Sequence, residues 1–181
     1  MQRTVITPAD FSGSALDDLK SWLGISRPKE DALLRDLLAA SASLCEAFTG
    51  QSPLEQTVEE TVPSETGRYA LLTRPAQSLV AAHILNEDGS RIALDPAEYE
   101  FSIDHDFRAC IELEGGLEAR SIVVSIRAGI APDWAAMPEA LKQGIIRLAA
   151  FHYRDRETGR DAEPPASVAA LWRPWRTLRL S

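Results

Sequence analysis

The apolar residues of this chain change period twice, and that limits the folds open to it. From Ser14 to Gly50 they recur at helical steps, from Pro53 to Ile130 they alternate, and from Pro138 to about Glu157 they return to helical steps. A period of two cannot bury one face of a helix, and a period near 3.6 cannot bury one face of a strand. The expected fold is therefore α+β, a helical bundle with a β-rich insert between the N-terminal helices and the last long helix. An extended C-terminal tail follows. The expected organisation is a single domain over residues 1–160, helical over 14–50, β-rich over 53–130 and helical again over 138–157, with residues 161–181 as the tail.

Residues 1–13 read as an extended lead-in. Ser14, three residues before Asp17, resembles a weak capping box and opens a short helix carrying Leu16, Leu19, Trp22 and Leu23, which Gly24 ends. After Pro28 a longer helix runs to Phe48, with Leu33, Leu34, Leu37, Leu38, Ser41, Leu44, Cys45 and Phe48 on one broad face. Each large apolar side chain on that face contributes about 1.5–3 kcal/mol gross when buried. Thr49 and Gly50 close the helix in the manner of a glycine C-terminus.

Seven short strands are expected at Thr57–Val62, Tyr69–Leu72, Leu79–Leu85, Arg91–Leu94, Tyr99–Ile103, Arg108–Leu113 and Ile122–Arg127, with Asp88-Gly89 as a hairpin turn. The helix opened by Pro138 carries Leu141, Ile145, Leu148, Ala149 and His152. Gly144 in its middle costs about 1 kcal/mol against Ala, so it marks a close crossing with another element.

Charge excludes some functions. Of the net charge of -8, residues 147–181 hold seven arginines against four acids, and residues 1–146 hold twelve bases against twenty-three acids. An acidic body repels nucleic acid and anionic lipid alike. Two cysteines and no long apolar run argue for a reducing cytoplasm and against membrane insertion.

Catalytic chemistry is scarce. Asp104-His105-Asp106, with His83 and His152, is the one grouping from which a metal-dependent hydrolase could be built. It falls between two expected strands, where a solvated polar turn is the simpler reading. Cys45 and Cys110 read as small buried hydrophobes. No phosphate loop or nucleophile elbow occurs, so neither an enzyme nor a cofactor is expected.

The tail is the unusual element. After the polar stretch 156–163 it reads PPASVAALWRPWRTLRLS, with no acid. Pro165 suits the first turn of a short helix towards Trp172, and Pro174 stops it. Val168, Leu171, Trp172, Arg173, Pro174, Trp175, Arg176, Leu178, Arg179 and Leu180 form a candidate partner-binding segment, since Trp and Arg dominate interface hot spots. Packing on its own domain is the alternative.

The runs LDDLKSWLGI, DALLRDLLAASASLCEAFTGQSPLEQT, RPAQSLVAAHILNEDG and VVSIRAGIAPDWAAMPEALKQGIIRLAAFHYRDRE, with the closing ALWRPWRTLRL, resemble the head–tail connector (adaptor) family of long-tailed phages and gene transfer agents. The resemblance implies a structural protein of the head–tail interface of a virion or phage-like particle, assembled in the bacterial cytoplasm. It implies a ring, dodecameric in the family, between the portal protein and the next tail component, a stopper or tail terminator. It also implies C-terminal segments that dock on the portal, and DNA that passes through without specific binding. A head-completion stopper or a tail terminator is the alternative within that class.

Overall fold

The computed structural model describes residues 2–115, 121–155 and 164–177. Its contacts divide the chain into a β-rich unit, residues 1–8 with 55–129, and a helical unit, residues 9–54 with 130–181. The C-terminal segment thus belongs to the helical unit, unlike the expected separation at residue 160.

The β-rich unit holds eight antiparallel strands: β1 (Arg3–Thr7), β2 (Gln56–Val62), β3 (Gly67–Ala70), β4 (Ala76–Leu85), β5 (Arg91–Ala93), β6 (Tyr99–Ile103), β7 (Ala109–Leu113) and β8 (Ser121–Ala128). They form a five-stranded sheet in the order β1-β2-β8-β4-β5 and a three-stranded sheet in the order β3-β7-β6. The seven expected strands are all present. The lead-in is an additional strand, β1, because Val5 pairs with Val58 and Arg3 with Glu60 across the edge of β2. All five β1 residues are exposed, so the segment lacks the half-buried alternation that would announce a strand.

Strand β8, nearly continuous in apolar residues, is central and buried almost throughout. Val58, Val62, Ile111, Leu113, Ile122, Val124 and Ile126 form the core of this unit. Glu60 points into the same interior, fully buried. Its carboxylate accepts from the Leu72 and Thr73 amides at 2.6 and 2.7 Å and from the Thr73 hydroxyl at 2.6 Å, which satisfies a group that would otherwise be costly to bury.

The helical unit contains α1 (Ser14–Leu23), α2 (Asp31–Thr49), α3 (Glu139–Arg154) and α4 (Ala166–Trp172). Ser14 is not the cap of α1. Gly13 holds that position without a side-chain bond, and its carbonyl accepts from the Asp17 amide at 3.0 Å. Helix α2 buries Leu34, Leu38, Ser41, Ala42, Cys45 and Thr49, and Gly50 ends it in a left-handed conformation. Helix α3 buries Leu141, Gly144, Ile145, Ile146, Leu148, Ala149 and Ala150. Polar ties fix the loops around them. The Trp134 indole donates to Asp18 at 2.8 Å, the Tyr153 hydroxyl to Glu30 at 2.6 Å, and the Lys20 ammonium meets Asp31 at 2.7 Å.

Candidate docking surface

The helix expected between Pro165 and Trp172 forms as α4, opened by Pro165, whose carbonyl accepts from the Val168 and Ala169 amides at 2.8 and 3.0 Å. Its apolar side is not left for a partner. Val168 is 1 % exposed and Trp172 0 %, both within the core that α2 and α3 build.

Two neighbours make room for the indole. On one side is Gly144, where an added Cβ would lie 2.7 Å from Cε2 and 2.8 Å from Cδ1 of Trp172. On the other is Phe48, its ring centroid 6.0 Å away and tilted by 52°. The close crossing expected at Gly144 therefore exists, and α4 is the element that makes it. The indole Nε1 has no hydrogen-bond partner among the described residues, so apolar packing alone holds the ring.

Beyond α4 the chain turns through Arg173–Trp175 and is tied to the C-terminal end of α2. The Gln51 amide donates to the Trp175 carbonyl at 2.6 Å, and the Thr177 amide to the Thr49 carbonyl at 2.9 Å. The Arg176 guanidinium lies 5.2 Å from the centre of the Phe48 ring, a cation–π contact.

The structure thus divides the ten candidate residues. Val168 and Trp172 are core, and Leu171 and Trp175 are half-buried against it. Arg173, Pro174 and Arg176 face solvent. Leu178, Arg179 and Leu180 lie outside the described residues, as does the polar stretch 156–163. The expected partner-binding segment is therefore, at Val168 and Trp172, part of the core of its own chain. With Trp172 seated on Gly144, Val168 and Trp172 spend their apolar surface inside the chain. The sequence signals were Gly144 and the acid-free apolar run, but their pairing across the fold is not written in either.

The Asp104-His105-Asp106 grouping is a turn. Asp104 Oδ1 accepts from the Asp106 and Arg108 amides at 2.9 and 3.0 Å, which commits that carboxylate to the backbone. Among the described residues no three His, Cys, Asp or Glu side chains are grouped to hold a metal ion. His83 lies in β4 and His152 in α3, in different units. Cys45 and Cys110 are buried and unpaired, and burial pushes the Cys45 thiol up to about 12. No described helix is long and apolar enough to cross a membrane.

The model of the Phage gp6-like head-tail connector protein family matches residues 14–93. The matched stretch spans α1, α2 and the four strands from β2 to β5.

Among solved structures, the fold matches a chain in the neck of an empty gene transfer agent particle, solved with C6 symmetry. The TM-score is 0.77 at 22 % identity, covering 100 % of this chain and 98 % of that one. It matches equally a chain in the virion of the native gene transfer agent particle and one in the native neck with C12 symmetry. Both have a TM-score of 0.76 and 22 % identity over the same shares of the chains. No curated protein sequence matches the chain.

Proposed function

We propose that the chain is a structural head–tail connector, a subunit of a ring in the neck of a phage-like particle, and not an enzyme. The observation that carries this reading is the pairing of a connector-family match at residues 14–93 with an end-to-end fold likeness to neck chains. The C6 and C12 symmetries of those necks support a ring of many copies, dodecameric in the simplest case. The portal protein lies on one side and the next tail component, a stopper or tail terminator, on the other. DNA passes without specific binding, in keeping with a β-rich unit of fourteen acids and seven arginines.

Portal docking falls to the exposed part of the C-terminal segment, Arg173, Pro174 and Arg176, together with Leu178, Arg179 and Leu180. Val168 and Trp172 anchor that segment to the subunit from within, and Leu171 and Trp175 shape its base. Co-purification tests the reading. The full chain, expressed with the portal protein of the same particle, is expected to be retained as a ring, and R173E/R176E to be lost from it while remaining folded. A folded full chain that never associates with the portal overturns the connector reading.

A further inference from the structure

We propose that a groove on the helical unit, walled by Trp22, Arg147, Phe151 and Arg154, receives the Asp104–Phe107 turn of a second copy of this chain. The inference rests on the connector reading, because a closed ring of like subunits needs two different faces on each copy, each complementary to the other.

The groove has a volume of about 450 Å³ and is also lined by Val168, so α1, α3 and α4 all contribute to it. Two aromatic side chains stand open to solvent there, Trp22 at 45 % and Phe151 at 37 % exposure. The Arg147 guanidinium sits 5.7 Å from the centre of the Trp22 ring, and Arg154 is exposed near the end of α3. Neither arginine forms an ion pair among the described residues. Trp22 also lines a second, polar groove of about 480 Å³. An exposed Trp that lines two grooves, beside guanidiniums with no ion pair among the described residues, has the make-up of an interface hot spot.

The occupant is chosen by chemistry. An aromatic wall bearing two guanidiniums against the one carboxylate of Asp155 keeps an excess of positive charge. It fits an aromatic side chain with a carboxylate next to it, and the β-rich unit offers that pair. Phe107 is 58 % exposed at φ 55, a left-handed conformation unfavourable for a bulky side chain. Hydrogen bonds hold it there. Its amide donates to the Asp104 carbonyl at 3.0 Å, and its carbonyl accepts from the Ala76 amide at 2.8 Å. Asp106, beside it, is 67 % exposed, and its carboxylate lies 3.6 Å from the His105 imidazole. A rigid turn thus presents an aromatic ring and a carboxylate to solvent, from a unit with twice as many acids as arginines. One chain carries both halves of a head-to-tail contact.

The test uses particle necks assembled with F107C/F151C chains, oxidised mildly and run on a non-reducing gel. The native thiols are buried and do not compete. A ladder of joined chains is expected, absent from F107C or F151C alone. Chains that enter the neck yet stay single overturn the inference while leaving the connector reading intact. So does an F107C chain that links to itself or to a different protein. Absence of the unsubstituted chain from particles overturns both readings. A second measurement avoids cysteine chemistry: D106R and R147D should each lower incorporation about tenfold or more, and the two together should restore it. Single variants that incorporate like the parent overturn the inference.

Discussion

Gly144 and Trp172 occupy the same space in different helices: the indole lies where a side chain on residue 144 would be. Helix propensity alone favours Ala at position 144 by about 1 kcal/mol, whereas overpacking typically costs about 1–3 kcal/mol. Gly144→Ala should therefore lower stability in the parent chain and raise it once Trp172 is Ala. Denaturant titration of the four chains in this cycle measures both signs. A Gly144→Ala chain as stable as the parent would show that α4 does not need the close approach.

Ending the chain at Glu163 removes Val168 and Trp172 from the core. Loss of a fully buried Trp costs about 3–5 kcal/mol. The truncated chain should unfold at clearly lower denaturant, with α2 and α3 losing hydrogen-exchange protection around Phe48 and Gly144. Unchanged protection there would return the segment to the role of an appendage.

Replacing Glu60 by Ala leaves the buried Thr73 amide and hydroxyl and the part-buried Leu72 amide without their acceptor. Each orphaned donor costs about 1–3 kcal/mol. The variant should be destabilised by about 3 kcal/mol or more, the segment from Leu71 to Pro75 losing protection first. A chain of parental stability would mean that water or a rearranged backbone replaces the carboxylate.

Cys45 gives a prediction in pH. Burial raises its thiol from the ordinary value to about 12, so the folded chain keeps a proton that the unfolded chain releases. The stabilisation is fully present below about pH 9 and is lost as pH rises towards about 12. Cys45→Ala should flatten that alkaline decline, measured as denaturation midpoint against pH. In the parent at pH 8, alkylation of Cys45 should proceed only through unfolding. Rapid labelling of the native chain would contradict the burial.

The sequence by itself determined what depends on near neighbours. Period placed α1, α2, α3 and the strands from β2 to β8, since each buries one face and writes it every second or every third to fourth residue. Proline and glycine placed the ends: Gly24, Gly50, Pro138, Pro165 and Pro174 act on the backbone within a turn of themselves. Strand β1 was legible only as extended chain, because its partner β2 lies some fifty residues on and β1 itself buries nothing.

Tertiary structure decided the fate of the C-terminal segment. Its composition fits a partner's surface and its own core equally well, because burial rewards apolar area without regard to whose surface covers it. The choice was made by the gap left beside Gly144 and Phe48, which brings residues 48, 144 and 172 together from three helices. The same holds for Phe107. Its left-handed backbone and open ring are held by one hydrogen bond within the turn, to Asp104, and one to Ala76, a distant partner that no local pattern in the sequence joins to it.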